Sequence, residues 1–346
     1  MPSPPHKPAS RAEAPPSRDE GVRFRAGTVA LVGRPNVGKS TLLNALLGER
    51  IAITSHHPQT TRDRIAGIVT REDAQLVFLD TPGFHSAKNR LGERMNELAK
   101  RAAEECDVAI FMTDVDAKPT GVRPADEAVL AAIPAGKPTL VVINKIDKVH
   151  PKELLFPVLD AYAKLRDVVA LVPVSALKAN GVERIAAEVA KLLPEGEPLY
   201  DPEEISDKPL RFFVAEFVRE QILKRTRQEV PHGVAVTVES FEDGKKQTRI
   251  AVTVHVAKES HKAIIIGDGG AMLRDVGTAA RKRAEGLLGR KVHLETWVKA
   301  NPKWFDDPKQ LAELGYEEGA PAKKPAKKKK PTPAKKPAKK TPGTAR

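Results

Sequence analysis

The sequence of 346 residues has almost no cysteine and no long apolar segment. Cys106 is its only cysteine, which excludes an internal disulfide and suits a reducing cytosol. No stretch approaches the roughly eighteen consecutive apolar residues that a membrane-spanning helix needs. The N-terminus also lacks the apolar segment of a secretory signal. We therefore expect a cytoplasmic protein without a membrane span.

Both ends of the chain lack the apolar content that would offset the entropy of ordering. Residues 1–26 are rich in proline, serine and charge, and residues 320–346 hold 11 basic and no acidic residues. Residues 209–300 are also basic, with 17 basic and 11 acidic residues. We expect a disordered N-terminal extension over 1–26 and a disordered lysine-rich tail over 318–346. A basic tail beside a basic domain indicates an anionic polymer as partner.

The motif GRPNVGKS at residues 33–40 is typical of a phosphate-binding loop. A β-rich run, TVALV at residues 28–32, precedes it, and leucines at helical spacing follow it. The backbone N–H groups of such a loop, with the helix N-terminus, form an anion site. Lys39 would contact the β- and γ-phosphates, and the Ser40 hydroxyl would ligate magnesium.

A second motif, DTPG at residues 80–83, follows the predicted buried strand QLVFL. Asp80 lies at the C-terminal end of that strand, where ligands bind in open α/β sheets. Its carboxylate suits magnesium, and the Gly83 N–H can reach a γ-phosphate. Proline and glycine also mark simple turns, so the motif alone leaves that alternative open. Its position downstream of a phosphate loop favours the nucleotide interpretation.

A third motif, NKID at residues 144–147, follows the predicted strand PTLVVI and indicates a guanine pocket. The Asp147 carboxylate can accept both N1–H and N2–H of guanine, whereas adenine has an acceptor at N1 and no N2 amine. Asn144 would tie the loop together and contact N7. The aliphatic stem of Lys145 can lie along the base.

Residues 168–174 predict a fourth strand, which leads into Ser175 and Ala176. A backbone N–H of that pair could meet guanine O6. The motifs together predict a site for GTP or GDP with Mg²⁺ at the carboxyl ends of a mostly parallel sheet with helices on both faces. Its predicted residues are Gly33, Asn36, Val37, Gly38, Lys39, Ser40, Thr41, Asp80, Thr81, Pro82, Gly83, Asn144, Lys145, Asp147, Ser175 and Ala176.

The alternation of strands and helices stops at the sequence PEGEP, residues 194–198. The following segment has the predicted order α-β-β-α-α-β, which indicates a second, α+β domain. We therefore divide the chain into a nucleotide-binding domain over 27–195, a linker over 196–208 and a second domain over 209–317.

Between two predicted helices of the second domain lies Gly267-Asp268-Gly269-Gly270. This segment resembles the GxxG loop of type II KH domains, which clamps a nucleic-acid backbone. The alternative is a helix-capping glycine turn, and the element order favours the KH interpretation. Asp268 should repel phosphate, so basic neighbours must supply the attraction. These neighbours are Lys258, Lys262, Arg274, Arg281, Lys282 and Arg283.

In combination, these motifs resemble the Era family of ribosome-assembly GTPases. The resemblance covers about residues 27–317 and includes QTTR at 59–62, VHLETW at 292–297 and WFDD at 304–307. It implies a P-loop GTPase domain whose attached KH domain binds the 3′ end of 16S ribosomal RNA and assists maturation of the 30S subunit. It also implies peripheral contact with the cytoplasmic face of the inner membrane, and we expect a monomer.

The resemblance also implies roles for two residues of the nucleotide site. Thr61 would complete the magnesium shell when GTP is bound, although the sequence alone does not choose between Thr60 and Thr61. Asn36 matches a phosphate-loop asparagine that coordinates potassium in relatives, and an ordinary loop residue is the alternative. The predicted catalytic residues are Lys39, Thr61, Asp80 and Gly83.

Two other functions were weighed against a GTP-hydrolysing assembly factor. One is a non-enzymatic RNA-binding module that uses nucleotide only as a structural ligand. The intact set of Lys39, Ser40, Thr61 and Asp80 argues against it. The other is a signalling switch with a protein partner, and the basic KH-like domain argues against it. No metal site is expected at His56, His57 or His85, because no cysteine or acidic ligand set surrounds them.

Overall fold

The computed structural model describes residues 23–119 and 121–316. The predicted lysine-rich tail and residues 1–22 of the predicted N-terminal extension lie outside these ranges. Among the described residues, no helix combines the length and the apolar character needed to cross a membrane.

The first domain alternates strands and helices, as predicted. A six-stranded sheet has the order β2-β3-β1-β4-β5-β6, in which β2 is antiparallel to β3 and the other pairs are parallel. Its elements are β1 (Arg25–Gly33), α1 (Lys39–Leu47), β2 (Ile65–Thr70), β3 (Ala74–Asp80), α2 (Arg90–Glu105), β4 (Val108–Asp114), α3 (Pro124–Ala131), β5 (Thr139–Asn144), α4 (Phe156–Leu165), β6 (Ala170–Pro173) and α5 (Val182–Leu192).

The apolar strands explain why helices cover both faces of this sheet. Strands β3, β4 and β5 are buried along almost their whole length, so neither face can be left to water. Helices α1 and α5 pack on one face, and α2, α3 and α4 pack on the other. Strands β1, β3 and β5 therefore end at one edge, where each leads into a predicted motif.

The predicted N-terminal boundary at residue 27 needs a correction. Strand β1 begins at Arg25, which pairs with Ala74 of β3. The Arg25 side chain reaches the end of α5, where its guanidinium donates to Leu193 O at 2.7 Å. These contacts order residues that the composition alone assigned to a disordered extension.

The predicted linker over 196–208 runs along strand β2. Ile68 N–H donates to Ile205 O at 3.0 Å, and Ser206 Oγ donates to Ala66 O at 2.6 Å. The buried Gln75 side chain accepts from the backbone N–H groups of Leu199 and Tyr200. Hydrogen bonds at residues 199–200 and 205–206 therefore fix the linker to the first domain.

The second domain has the predicted α-β-β-α-α-β order. Its elements are α6 (Leu210–Arg225), β7 (Val234–Asp243), β8 (Thr248–Val256), α7 (Glu259–Ile266), α8 (Ala271–Leu288), β9 (Val292–Ala300) and a short α9 (Pro308–Glu313). Strands β7 and β8 are antiparallel, and β9 pairs with β8 in parallel. One cluster of buried apolar side chains extends from beneath α1 into the contact between α6 and α8.

Candidate nucleotide-binding site and nucleic-acid interface

A cavity of about 700 Å³ opens at the carboxyl edge of the six-stranded sheet. Ligands bind at this edge in α/β sheets of this kind, outside the strand ends. Residues from three of the predicted motifs and from the segment before β2 line the cavity. Among them are Asn36, Gly38, Lys39, Ser40, Thr41, Thr61, Gly83, Asn144, Lys145 and Asp147.

The loop between β1 and α1 has the geometry of an anion cradle. The buried Lys39 ammonium crosses the loop and donates to Gly33 O at 3.1 Å and to Arg34 O at 3.0 Å. Burial lowers the pKa of Lys39 to about 8. Gly38 has φ of 105°, and a Cβ there would overlap the Asn144 side chain. The motif therefore needs glycine at this position, as the sequence provides.

Three oxygen-bearing side chains converge at the start of α1. Ser40 Oγ donates to Asp80 Oδ2 at 2.6 Å and lies 2.9 Å from Thr61 Oγ1. Asp80 is fully buried, and its Oδ1 has no hydrogen-bond partner among the described residues. Burial raises the pKa of Asp80 to about 6. A buried carboxylate with an unused oxygen, beside two hydroxyls, fits the all-oxygen coordination of Mg²⁺.

The structure distinguishes the two adjacent threonines that the sequence left open. Thr60 Oγ1 donates to His57 O at 2.7 Å and lies 2.6 Å from Ser55 Oγ. Thr60 is therefore engaged within its own loop, whereas Thr61 lies at Ser40. The geometry favours Thr61 as the magnesium ligand.

The DTPG loop packs directly against the phosphate-binding loop. Thr81 Oγ1 donates to Leu31 O at 2.7 Å, which fixes the loop to strand β1. A Cβ at Gly83 would lie 2.5 Å from Pro35 N, so only glycine permits this approach. Pro82 is buried beside it. This packing brings Gly83 to the wall of the cavity.

The two residues after Gly83 differ in their surroundings. Phe84 N–H donates to Gly33 O at 3.3 Å, and its side chain packs on the apolar core. His85 is half-buried, and its Nδ1 lies 2.9 Å from Gly83 O.

Asn144 joins the phosphate-binding loop to the loop after β6, as expected. Its Nδ2 donates to Val37 O at 2.8 Å, and its Oδ1 accepts from Ala176 N–H at 2.9 Å. The Ser175 N–H donates to Asn180 O at 3.0 Å. We expected one backbone N–H of the Ser175–Ala176 pair at guanine O6, and both N–H groups of the pair donate within the protein in this structure.

A neighbouring hydroxyl holds the Asp147 carboxylate in place. Ser175 Oγ donates to Asp147 Oδ1 at 2.6 Å, and this hydrogen bond lowers the pKa of Asp147. Lys145 lies across the base of the loop, where its ammonium contacts Asn36 O at 2.8 Å and Asp114 Oδ2 at 2.7 Å. The carboxylate of Asp114, at the end of β4, was not predicted as part of the site.

Asn36 links the phosphate-binding loop to the segment before β2. Its Nδ2 donates to His56 O at 2.9 Å, and its backbone has φ of 62°. The amide oxygen is the group that could ligate potassium. Among its neighbours, Val37 is fully buried and Thr41 lines the cavity.

A buried polar network behind the phosphate-binding loop was also absent from the sequence predictions. Asp126 is fully buried and accepts from Arg34 Nε at 2.6 Å, Thr113 Oγ1 at 2.9 Å and Tyr162 OH at 2.9 Å. Arg34 belongs to the loop itself. The network therefore ties the loop to α3, β4 and α4.

In the second domain, the GxxG segment forms the tight turn between α7 and α8. Gly267, Gly269 and Gly270 all have positive φ, at 71°, 51° and 77°. A Cβ at Gly267 would lie 2.8 Å from the Met272 Cβ. Asp268 is exposed at the tip of the turn. The turn thus presents bare backbone to solvent, as a backbone clamp requires.

Three of the predicted basic residues lie on or beside the two helices that the turn joins. Arg274 lies in the first turn of α8, with its Nη2 3.4 Å from Gly269 O. Lys262 lies on α7, and Lys258 is the N-cap residue at the end of α7 away from the turn. Arg281 lies farther along α8 and pairs with Glu285 at 3.1 Å.

Arg283 does not belong with these residues, contrary to the sequence prediction. Its guanidinium pairs with Glu220, donates to Arg50 O at 2.5 Å and lies 4.1 Å above the Phe217 ring. It faces the first domain, so it is not free to contact RNA in this arrangement.

Comparisons with known proteins agree with this geometry. Residues 28–145 match the family model of 50S ribosome-binding GTPases, and residues 229–305 match the KH domain model. The crystal structure of Era in complex with MgGDPNP and nucleotides 1506–1542 of 16S ribosomal RNA is 42% identical to the chain, with a TM-score of 0.81. That match covers 85% of this chain and 99% of the other.

A second crystal structure, of an Era variant from Aquifex aeolicus bound to GDP·AlF4⁻, is equally similar. Its identity is 42% and its TM-score 0.81, and the match covers 85% of this chain and 100% of that one. The two domains, their order and this level of identity over the whole of both relatives show that the chain belongs to the Era family of GTPases.

Proposed function

We propose that the protein is a GTP-hydrolysing ribosome-assembly factor that binds the 3′ end of 16S ribosomal RNA and assists maturation of the 30S subunit. The observation that carries the proposal is the convergence of Ser40, Thr61 and Asp80 at a phosphate-binding loop, in a chain that also has a KH domain. Similarity to an Era structure that contains both MgGDPNP and 16S ribosomal RNA supports it.

The nucleotide site supplies positioning and charge rather than covalent chemistry. Lys39 and the N–H groups of its loop bind the β- and γ-phosphates, and the Gly83 N–H contacts the γ-phosphate. Ser40, Thr61 and Asp80 would hold Mg²⁺, which neutralises the charge that develops on the phosphates during transfer. Burial of Lys39 and Asp80 keeps these two charged groups from water and strengthens their electrostatic contacts.

Hydrolysis is expected to be slow without a stimulating factor. Phe84 follows Gly83 at the position where Ras-like enzymes place a water-orienting glutamine, and a phenyl ring can neither donate nor accept. We infer intrinsic turnover on the order of 10⁻⁴ to 10⁻² per second. Asn36 would hold K⁺ at the phosphates and add positive charge there.

Base selection rests on Asp147, which accepts both guanine donors while Ser175 holds it in place. RNA binding rests on the turn at Gly267 to Gly270, with Lys258, Lys262, Arg274 and Arg281 as phosphate contacts. Asp268 weakens the loop's own attraction for RNA, because its carboxylate is exposed at the tip.

We place the protein in the cytoplasm. Its single cysteine, which is buried and not paired in a disulfide, is compatible with a reducing compartment. Peripheral contact with the inner membrane and a monomeric state belong to the same proposal and rest on the family resemblance. The division into a GTPase domain, a linker over 196–208 and a KH domain over 209–317 is also part of the proposal and rests on the order of strands and helices. The GTPase domain begins with strand β1 at Arg25, not at the predicted residue 27, and ends at residue 195.

The test measures both activities on one preparation. Purified protein should hydrolyse GTP but not ATP in the presence of Mg²⁺, and Asp80→Asn should lose the hydrolysis. The same protein, loaded with a GTP analogue, should bind an RNA of the 16S 3′ end more tightly than a scrambled RNA. Equal binding of the two RNAs would contradict the assembly role, and equal use of ATP would contradict the GTPase assignment.

A further inference from the structure

Thr61 is flanked along the chain by two residues that are anchored in the KH domain. The carbonyl of Thr60 accepts from Arg219 Nη2 of α6 at 2.5 Å. On the other side, the Arg62 side chain enters the KH domain and donates to backbone carbonyls there. Thr61, the candidate magnesium ligand, therefore lies between two residues that are hydrogen-bonded to the KH domain.

The Arg219 contact lies in the interior of the protein and is not a solvent-exposed pairing. Arg219 is 1% exposed, although it carries a charge. Glu216, one turn earlier on α6, accepts from its Nε at 2.7 Å and its Nη2 at 2.5 Å, which fixes the plane of the guanidinium. The other N–H of the same Nη2 donates to the Thr60 carbonyl, and Nη1 has no hydrogen-bond partner among the described residues. A buried arginine held this firmly leaves Thr60 little freedom to move.

The Arg62 contact is equally enclosed. Arg62 is 2% exposed and donates to Val234 O at 2.5 Å, His232 O at 3.0 Å and Pro231 O at 3.1 Å. Its guanidinium lies 5.6 Å from the centre of the buried Trp304 ring. Carbonyls and an aromatic face together replace the water that a buried cation loses.

The same KH helix also holds the beginning of the segment. Glu220, next to Arg219 and 1% exposed, accepts from the Thr54 N–H at 3.1 Å. Arg283 of α8 pairs with the same carboxylate. The segment from Thr54 to Arg62 is therefore fixed to the KH domain at both ends.

A ligand on a loop binds a metal more tightly when its backbone is already ordered, because binding then does not have to offset the entropy of ordering. GTPase switch segments are ordered through the γ-phosphate and Mg²⁺ and released after hydrolysis. Here the KH domain holds the backbone on both sides of the threonine. We propose that Arg219 and Arg62 are positioning residues for Thr61, so that the KH domain completes the magnesium site and selects the GTP-bound state. This inference rests on the proposed GTPase function.

The test compares nucleotide states, because GDP does not need the switch threonine. Titrations would use fluorescent mant-GDP and mant-GMPPNP with Mg²⁺ on the full chain. Arg219→Met should weaken the GTP analogue roughly tenfold and leave GDP within about twofold, in the range of coupling between sites. Arg219→Lys, which keeps the charge but not the fork, should fall between the variant and the wild type. Arg225→Met, an exposed arginine on the same helix, is the matched control and should change neither affinity.

A double-mutant cycle separates positioning from general destabilisation. Thr61→Ala should show the same selective loss, and adding Arg219→Met to it should cost nothing further. Equal weakening of both nucleotides, or additive losses, would overturn the inference. If Arg219→Met does not fold, the milder Arg62→Lys and Arg219→Lys variants carry the same comparison, and unchanged selectivity in both would also overturn it. If the wild type binds neither nucleotide, the proposed function fails, and the inference fails with it.

Discussion

Ser40 Oγ lies 2.6 Å from Asp80 Oδ2, although the two residues are forty positions apart. Strands β1 and β3 produce this contact, because they are parallel neighbours with Leu31 opposite Asp80. Strand β1 leads on to Ser40, so the first turn of α1 faces the end of β3. The contact leaves Asp80 buried with one oxygen unpartnered among the described residues, which is a costly arrangement without a cation.

Asp80→Asn should therefore stabilise the metal-free protein while abolishing Mg²⁺-dependent hydrolysis. Burial raises the pKa of Asp80 to about 6, above its ordinary value of 3.8. In that window the folded state binds more protons than the unfolded chain, so the free energy of unfolding falls as pH rises from about 4 to about 6. A rise of about two pKa units corresponds to a total fall of about 3 kcal/mol in the free energy of unfolding.

Urea unfolding in EDTA across this pH range checks the prediction. The Asp80→Asn variant should lack the fall, and Asp167→Asn, at an exposed position, should keep it. A variant less stable than the wild type at neutral pH would show that the carboxylate is stabilising without metal, against this interpretation.

Replacing one carboxylate oxygen of Asp147 by an NH2 group should change the base that the site prefers. Asp147→Asn should weaken GTP and favour xanthosine triphosphate, whose C2 oxygen needs a donor. Leaving polar groups of the pocket unpaired costs up to roughly 10⁴-fold in discrimination, which also sets the expected preference for GTP over ATP. Competition titrations with GTP, xanthosine triphosphate and ATP measure this preference. Ser175→Ala, which only loosens Asp147, should reduce GTP affinity without reversing the preference.

Potassium should accelerate hydrolysis if Asn36 ligates it. Replacing K⁺ by Na⁺ should slow single-turnover hydrolysis, and Asn36→Ala should abolish the difference. The variant also loses the hydrogen bond to His56 O, so GDP affinity must be measured beside the rate. Identical rates of the wild type in both salts would remove potassium from the mechanism.

The network behind the phosphate-binding loop should contribute to stability. Tyr162→Phe removes one of the hydroxyl donors to the buried Asp126 and should cost about 1 kcal/mol of unfolding free energy. The other donors, from Arg34 and Thr113, remain, so the fold should survive. Denaturant unfolding of Tyr162→Phe against Tyr200→Phe measures the difference. Equal effects of the two changes would mean that this hydrogen bond adds nothing.

Side chains on the GxxG turn should control RNA binding without touching catalysis. Gly269 and Gly270 have positive φ, so Gly269→Asp with Gly270→Asp adds both strain and negative charge. This variant should lose specific RNA binding and keep its GTPase rate. Asp268→Lys should instead tighten binding and steepen its salt dependence by about one phosphate contact. Filter binding across a salt series tests both, and loss of hydrolysis in the double variant would contradict the separation of the two sites.

The sequence revealed the parts of the site that depend on local order along the chain. Strands β1, β3 and β5 end in recognisable motifs, and their carboxyl edges coincide in the fold. Strand β4 is as apolar as these but ends in Asp114, whose contact with Lys145 depends on strand order. Strand β2 is antiparallel and contains Gly67, so its pattern is weaker.

The contacts between the domains could not be predicted from the sequence, for a physical reason. Arg219 and Thr60 are 159 residues apart, and only the packing of α6 against the first domain brings them together. The same packing directs Arg283 toward the first domain. The sequence had predicted it as a phosphate contact because neighbouring residues of α8 are basic. The sequence shows which residues are charged, but it does not show which side of a helix faces solvent and which faces another domain.

We expect this GTPase to recognise the 3′ end of 16S ribosomal RNA through its KH domain. The most direct measurement is sequencing of RNA crosslinked to the GTP-bound protein in cells, with the Gly269→Asp and Gly270→Asp double variant in parallel. We predict that crosslinks concentrate at the 3′ end of 16S ribosomal RNA and disappear from that position in the variant. Crosslinks spread evenly over ribosomal RNA, or concentrated there equally in both proteins, would contradict the account.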